Sequence, residues 1–283
     1  MQPNLYRLFC KAMIIILLAR GTSTGASDDG PSQEQNPYPN IGAIPTPSGY
    51  HRPVTDPGSF AAWLRKIPLK KDRTVYLYDG TPKNNQDAQF AVLDISVGHQ
   101  DLQQCADAVM RLRAEYLYAR NDLAAIDFTT ESGVHLNYRA WKQGHRYRLS
   151  AGHLVAFMEE EKSRPEREEF MRYLDIVFMY CGTRSLEKQL IPVTPFTGIK
   201  PGDVLIRGGS PGHAMTVVDM ATDAAGRSIY LLAQGYMPAQ DIHVVKNPSD
   251  RGISPWYRVE DVPGAIETPE WTFYTNQLRA WRH

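Results

Sequence analysis

The spacing of apolar and polar positions predicts one long amphipathic helix in the first half of the chain. In residues 101–120, DLQQCADAVMRLRAEYLYAR, apolar side chains recur every three or four positions. Asp101 followed by Gln104 fits a capping box, so we expect Asp101 to be the N-cap and Cys105 to lie in the first turn. The apolar face comprises Leu102, Cys105, Val109, Leu112 and Tyr116.

Short apolar stretches on both sides of this helix predict β-strands. Most alternate apolar and polar residues or are rich in β-branched and aromatic side chains. Residues 221–227, ATDAAGR, predict the turn of a hairpin between the last two strands. The predicted strands are 74–80 (TVYLYDG), 88–98 (AQFAVLDISVG), 201–206 (PGDVLI), 213–220 (HAMTVVDM) and 228–235 (SIYLLAQG).

Two further regions have helical patterns. A helix is expected to begin near Phe60, and residues 151–190 are predicted to be helical with a break at 163–166. The aromatic C-terminal part is expected to cover the domain and to end in a short helix or strand. This order predicts an α+β fold with an antiparallel sheet packed against a central helix and extra helices.

The N-terminal region has the layout of a secretory signal peptide. Arg7 and Lys11 precede a short apolar run, residues 12–19, and small residues follow it. This run is too short to span a bilayer stably, so we expect no stable transmembrane anchor. We therefore assign residues 1–26 to a signal peptide and expect an exported, periplasmic or extracellular protein.

The remaining chain divides into a linker and one domain. Residues 27–48 are rich in Gly, Ser, Pro and Asn and are predicted to be a flexible linker, and residues 49–283 form a single domain. With 31 basic and 31 acidic residues, the chain has no basic excess, which argues against a nucleic-acid partner. No motif points to a cofactor.

Cys105 is the candidate nucleophile. The first turn of a helix presents free N–H groups and the positive end of the macrodipole, both of which stabilise a thiolate. Asp107 adds negative charge nearby and opposes this effect. The alternative is that Cys105, which also lies on the apolar face of the helix, is a small buried hydrophobe.

His213 is the candidate base, and Gln234 is the candidate group that orients it. On a regular strand His213 shares one face with Asp219, but six residues separate them by about 20 Å, too far for Asp219 to orient the ring. A four-residue hairpin turn would place Gln234 opposite His213 or one diagonal step away, whereas an odd-length turn would place it on the other face.

The order of these residues resembles the papain-like superfamily, and the NlpC/P60 and CHAP branches most closely. The shared pattern is a Cys at the start of a core helix, a later "GDVLI…GH" strand and a polar residue on the following strand. This resemblance implies a papain-like α+β fold, a Cys nucleophile, a His base and hydrolysis of amide bonds, commonly in bacterial cell-wall peptides. It therefore implies a peptide or peptidoglycan-like substrate.

Longer segments are similar to an uncharacterised family of exported bacterial proteins, domain of unknown function 4846. The segments include "DLQQCADAVMRLRAEYLY", "PGDVLIRGGSPGHAMTVVDMA" and "TPEW". This resemblance implies bacterial export and brings no activity with it. The chain departs from the hydrolase pattern because Gln104 and Ala106 flank the cysteine, and because Gln234 stands where His, Asn, Asp or Glu is usual.

Three alternatives remain open at this point. His213 and Asp219 could ligate zinc, although no further ligand motif accompanies them. Cys105 and Cys181 could form a disulfide, which would exclude a nucleophilic Cys105. The domain could also bind a peptide or glycan without cleaving it. In either reading, Gly212, Tyr236 and Trp256 are the predicted substrate-binding residues.

Overall fold

An antiparallel nine-stranded sheet forms the centre of the structure, a computed structural model that describes residues 35–159, 164–260 and 262–282. The strands in chain order are β1 (Tyr50–His51), β2 (Gln89–Val92), β3 (Asp127–Thr129), β4 (His135–Asn137), β5 (His145–Ser150), β6 (His153–Met158), β7 (Ile191–Pro192), β8 (Val204–Arg207), β9 (His213–Asp223), β10 (Ser228–Gln234), β11 (His243–Val245), β12 (Tyr257–Arg258), β13 (Ala265–Glu267), β14 (Thr272–Tyr274) and β15 (Leu278–Ala280). The order across the main sheet is β2-β11-β10-β9-β8-β15-β7, with β1 paired to β9 and β12 to β10.

The described residues contain five α-helices. They are α1 (Phe60–Lys66), α2 (Cys105–Ala119), α3 (Tyr138–Lys142), α4 (Glu166–Tyr180) and α5 (Thr183–Gln189). Helix α2 packs against β9, the longest strand of the sheet, and its apolar face is buried. The predicted α+β class and the central helix are thus present, whereas the finer papain-like assignment is a matter of proposal.

Helix α2 begins later than the capping pattern predicts. Its N-cap is Gln104, whose backbone N–H donates to the Asp107 carboxylate at 3.0 Å, so the prediction that Asp101 is the N-cap is wrong. Asp101 instead accepts the backbone N–H of Ala239 at 2.6 Å, which ties the loop after β10 to the start of the helix. Cys105 is therefore the first residue of the helix.

The main error in the sequence prediction lies before α4. Residues 151–158, predicted to be the first part of a helix, instead form the turn and the second strand of the β5–β6 hairpin. Ala151 and Gly152 both have positive φ, at 49° and 79°, as a two-residue hairpin turn requires. The segment 74–80 also differs from its prediction, because only isolated bridges at Tyr76 and Leu77 form there.

The domain begins earlier than expected. The predicted linker 27–48 is wrong for its described part, because Ile41 and Ile44 are fully buried in the core. The backbone of Ile41 also donates to Ile67, which fixes this segment against the end of α1. The predicted signal peptide, residues 1–26, lies outside the described residues. In the described part of the chain, no helix is long and apolar enough to cross a membrane.

A β-bulge interrupts the pairing of β9 with β10. The turn between these strands leaves three residues, 224–226, between the bonded Asp223 and Arg227, so its length is odd. Near the turn Leu231 pairs with Asp219, but the next residue, Leu232, pairs with Val217, so one position of β9 is skipped. The bulge changes which side chains of the two strands share a face.

Candidate active site

A pocket of about 440 Å³ opens at the start of α2. Cys105 and His213 both line it. Cys105 belongs to α2 and His213 to β9, and these two elements pack against each other. Its walls come from residues between 101 and 107, 178–183 at the α4–α5 junction, the loop 209–213, Tyr236 with Met237, and Trp271.

Cys105 is buried at the first position of α2. Burial, and to a smaller extent the nearby Asp107 carboxyl, raise the pKa of its thiol to about 11, while backbone N–H groups of Ala106 and Ala214 act in the lowering direction. The expectation of a depressed thiol pKa is therefore wrong, because desolvation outweighs the stabilising N–H groups. Because the backbone N–H of Ala214 acts on the thiol, the sulfur lies beside the start of β9, next to His213 in the chain.

His213 is nearly sealed from solvent and held in a cage of aromatic rings. Its ring centroid lies 5.0 Å from that of Tyr236, 5.3 Å from Trp271 and 5.8 Å from Phe273. Burial lowers the pKa of His213 to about 4, although its hydrogen bond with Gln234 acts in the raising direction. The imidazole is consequently neutral at pH 7, which is the form of a general base, and burial also makes it a weaker proton acceptor than a solvent-exposed histidine.

Gln234 contacts His213 directly, although the turn does not have the four residues from which this contact was expected. His213 Nε2 lies 2.8 Å from Gln234 Oε1. With the odd-length turn alone, Gln234 would pair with Thr216 and face away from the histidine. The bulge shifts the register so that Ala233 pairs with Thr216, which brings Gln234 level with Met215 on the face of His213.

Glu270 and Lys83 fix the orientation of the Gln234 amide. The Glu270 carboxylate accepts from Gln234 Nε2 at 2.7 Å and from Lys83 Nζ at 2.6 Å. A carboxylate only accepts, so the amide nitrogen must face Glu270 and the amide oxygen must face His213. The second buried histidine agrees with this assignment, because Gln234 Nε2 also lies 3.2 Å from His243 Nε2.

This network determines the tautomer of His213. Because Gln234 presents its oxygen, His213 Nε2 carries the proton and donates it. Nδ1 is then the basic nitrogen. It makes no hydrogen bond to any residue that the structure describes, and it is not among the sealed polar atoms, so it is open to the pocket.

The thiol and the imidazole are not joined directly. Within the described ranges, no hydrogen bond links Cys105 Sγ to His213, although both groups face the same pocket. The raised thiol pKa and the lowered imidazole pKa both favour neutral groups. The site therefore rests as a thiol and an imidazole, and not as a thiolate–imidazolium pair.

Two of the three predicted substrate-binding residues lie at the pocket. Tyr236 lines it, and Gly212 lines it at a position where no larger residue fits, because an added Cβ would lie 2.5 Å from Thr183 Oγ1. The prediction that Trp256 binds substrate is wrong. It is 1% exposed in the main core, and its indole N–H donates to the Pro45 carbonyl at 2.8 Å, so it cannot contact a ligand in this pocket.

The structure also addresses the two competing uses of these residues. Asp219 cannot join His213 as a zinc ligand, because its carboxylate oxygens are each held at 2.6 Å by Arg52 and Arg65. In the part of the chain that the structure describes, no group of three potential ligands could hold a metal ion. Cys105 and Cys181 are both free thiols, and both line the pocket.

Sequence reasoning missed the outer half of this network. Glu270 lies 36 residues after Gln234, and Lys83 lies on an irregular loop, so no periodic pattern connects them to the site. The available signal was "TPEW", which contains both Glu270 and the pocket residue Trp271. This motif belonged to the family resemblance, but it carried no chemical role before the fold was known.

A family model described as domain of unknown function (4846) matches residues 42–280. The chain belongs to this family. No curated protein and no solved structure matches the chain. The match covers every residue of the pocket and of the Glu270–Gln234–His213 network, so the site lies within the family domain.

Proposed function

We propose that this member of the family is an exported cysteine hydrolase that cleaves amide bonds. Cys105 is the nucleophile, His213 is the general base, and Gln234 orients the base. The observation that carries the proposal is the bonded chain from Glu270 through Gln234 to His213. It leaves a basic ring nitrogen open to the same pocket as a thiol at a helix start.

The proposed reaction proceeds through a thioester. His213 Nδ1 takes the proton of the Cys105 thiol as the sulfur bonds to the amide carbon, and the same nitrogen returns this proton to the departing amine. Water then attacks the thioester, gives a proton to His213 and releases the carboxylic acid, and the thiol recovers its proton. The neutral imidazole favoured by burial is the form that this first step requires.

The N–H groups around the sulfur support the same reaction. The oxygen of the tetrahedral intermediate carries negative charge and needs donors that are already in position. Backbone N–H groups of Cys105 and Ala106 lie at the unpaired start of α2, next to the attacking atom. They are the donors that we assign to this oxyanion.

We propose a peptide amide as the substrate, with cell-wall peptides as the first class to test. The pocket combines aromatic walls, Tyr236 and Trp271, with polar groups at its base. At about 440 Å³ it accommodates a few residues of a peptide. The papain-like arrangement of helix and sheet, and export of the protein, belong to this proposal.

One observation favours a second function, binding without cleavage. A thiol pKa near 11, together with the missing thiol–imidazole hydrogen bond, would leave Cys105 unreactive at neutral pH. In that case the pocket would hold a peptide or glycan between its aromatic walls. The two functions differ in whether His213 activates Cys105.

Alkylation of Cys105 by iodoacetamide distinguishes them. We expect labelling at pH 6–7 in a Cys181→Ala background, slowed by about tenfold or more in His213→Ala, which corresponds to about 1.4 kcal/mol or more of activation. Cys105→Ala is the control for site assignment by peptide mapping. Labelling that rises only toward pH 11 and ignores His213→Ala would contradict the hydrolase and favour the binding protein.

A further inference from the structure

Three adjacent strands of the main sheet carry a row of buried polar side chains. His213 on β9 contacts Gln234 on β10, and Gln234 is paired directly with His243 on β11. Directly paired residues of antiparallel strands point to the same face of a sheet, so Gln234 and His243 lie side by side. All three side chains belong to residues that are at most 1% exposed. The row ends at β2, where the partner of His243 is the apolar Val92.

A backbone carbonyl determines where His243 carries its proton. His243 Nδ1 lies 2.9 Å from the carbonyl oxygen of Asp241. A carbonyl oxygen only accepts, so Nδ1 carries the hydrogen, and in a neutral ring Nε2 keeps a free lone pair. Burial, and to a smaller extent the charge of Lys83, lower the pKa of His243 to about 4, although Glu270 acts in the raising direction. The ring is therefore neutral at pH 7.

Asp241 holds this carbonyl in a fixed direction. Its carboxylate accepts from Lys70 Nζ at 2.9 Å and from the backbone N–H of Tyr76 at 3.1 Å. Its own backbone N–H donates to the Tyr76 carbonyl at 2.9 Å. Since both the side chain and the backbone of Asp241 are bonded, its carbonyl keeps its direction toward His243.

The two N–H groups of the Gln234 amide have separate acceptors. Glu270 accepts at 2.7 Å, and His243 Nε2 accepts at 3.2 Å. If the amide were turned over, its oxygen would face a carboxylate and a nitrogen lone pair, and both acceptors would lose their donor. His243 thus adds a second constraint to that of Glu270, and both direct the amide oxygen toward His213.

We propose that His243 is a positioning residue that, through the Gln234 amide, keeps the proton of His213 on Nε2 and leaves the basic Nδ1 facing the pocket. This control of the tautomer does not depend on the proposed function, whereas its use in activating Cys105 rests on that function. Because the bonded series starts at a backbone carbonyl, the tautomer of His213 follows from the fold of the chain just before β11.

Nitrogen NMR of isotope-labelled histidine rings tests the tautomers without catalysis. In the wild-type protein at pH 7, we expect His243 to carry its proton on Nδ1 and His213 to carry its proton on Nε2. His243→Gln and His213→Gln assign the signals. A proton on His243 Nε2, or on His213 Nδ1, would overturn the proposal, because the amide could not then join the two rings in this way.

His243→Phe and His243→Gln form the decisive pair of variants. Phe keeps an aromatic ring but removes the acceptor, whereas the side-chain oxygen of Gln reaches about as far as Nε2. In a Cys181→Ala background at pH 7, alkylation of Cys105 should slow by about fivefold in His243→Phe, the effect of one neutral hydrogen bond, and recover in His243→Gln. His213 should show mixed tautomers in His243→Phe alone. A single, unchanged His213 tautomer in that variant would reject the role of His243.

Val245→Ala separates positioning from packing. Val245 is a fully buried residue of the same strand, and its truncation weakens the packing of β11 without removing an acceptor from the amide. The tautomers and the alkylation rate should remain those of the wild-type protein. If Val245→Ala slows alkylation as much as His243→Phe does, the effect belongs to packing and the proposal fails. The wild-type spectrum decides the tautomers even where His243→Phe does not fold.

The outcomes separate the two proposals. The expected tautomers together with an unreactive Cys105 would remove the hydrolase and keep the control of His213 by His243. A reactive, His213-dependent Cys105 whose rate is unchanged in His243→Phe would keep the hydrolase and remove His243 from its positioning role.

Discussion

Two of the buried polar residues of strand β9, Asp219 and His213, differ in how their polar atoms are satisfied. Asp219, near one end, is fully buried, and its oxygens are held by Arg52 and Arg65 and by the backbone N–H of Met220. His213, at the other end, is 1% exposed, yet it uses one ring nitrogen for Gln234 and leaves the other open to a pocket.

This difference teaches how to separate a structural polar group from a candidate functional one. Burial alone does not distinguish the two residues, because both are removed from solvent. What differs is the remaining bonding capacity, since Asp219 is satisfied by fixed cations whereas His213 keeps an unpaired nitrogen toward an opening. Mutations at the two ends should therefore affect different measurements.

The largest expected effect is on stability at the Asp219 end. Asp219→Ala leaves two arginines without their buried counterion, so the free energy of unfolding should fall by about 3–5 kcal/mol. Urea denaturation measures this loss. Asp250→Ala, which removes an exposed pair with Arg258, should cost less than about 1 kcal/mol. Similar losses in the two variants would contradict a structural role for Asp219.

The His213 end should appear in the pH dependence of stability. Burial lowers the pKa of His213 and of His243 to about 4, so between pH 6.5 and 4 the unfolded chain binds protons that the folded chain excludes. The contribution of these histidines to stability should be fully present above pH 6.5 and fall with acidification, by up to about 1.4 kcal/mol per pH unit for each histidine. Asp203, whose pKa burial raises to about 6, contributes in the opposite direction, so the histidine contribution is read from the difference between variants.

Denaturation at pH 7, 5.5 and 4.5 checks this slope. His213→Gln should flatten it, and the exposed His153→Gln should not. An unchanged slope in His213→Gln would show that the buried ring already carries a proton in this range.

A smaller effect is expected from Glu270, which acts on His213 through Gln234. Glu270→Gln removes the carboxylate that fixes the Gln234 amide and leaves Lys83 without its partner. Loss of this charge-assisted bond should slow alkylation of Cys105 by about tenfold near neutral pH, equivalent to about 1.4 kcal/mol. The exposed Glu267→Gln is the control. An unaltered rate would remove Glu270 from the site.

The smallest expected effect returns to the Asp219 end. Arg52→Lys keeps a positive charge near Asp219 but loses the second bond of the guanidinium, to the Ile44 carbonyl. The free energy of unfolding should fall by about 1 kcal/mol, measured in urea, while the alkylation rate of Cys105 stays constant. A slower Cys105 reaction in Arg52→Lys would mean that the two ends of β9 are coupled.

Local patterns predicted the parts of the fold that depend on local chemistry. The spacing of apolar residues located α2, and strand patterns located β8, β9 and β10. They failed for residues 151–158, because the hairpin there depends on a positive φ at Ala151. Alanine rarely adopts this conformation, so the sequence does not predict it. They also failed for Ile41 and Ile44, where a Pro- and Asn-rich setting conceals two core side chains.

Only the part of the candidate site that follows from chain order and strand pairing was predictable from the sequence. Cys105, His213 and Gln234 follow from a helix start and two adjacent strands, and the structure brings them around one pocket or into one hydrogen bond. Glu270, Lys83 and the burial of Trp256 depend on contacts between distant segments. Likewise, the raised thiol pKa follows from desolvation, which becomes known only when the packing is known.

Because of the bulge in β9, the contact between His213 and Gln234 depends on the number of residues between them. An odd-length turn and a skipped residue each move Gln234 to the opposite face of the sheet, and together they cancel. Twenty residues lie between His213 and Gln234, and any change of one residue in the paired part of that interval would separate the two side chains without altering either of them. We therefore expect insertions and deletions in the paired strands to be tolerated only in even numbers. Relatives that keep both residues should then vary in the sequence of this interval more than in whether its length is even or odd.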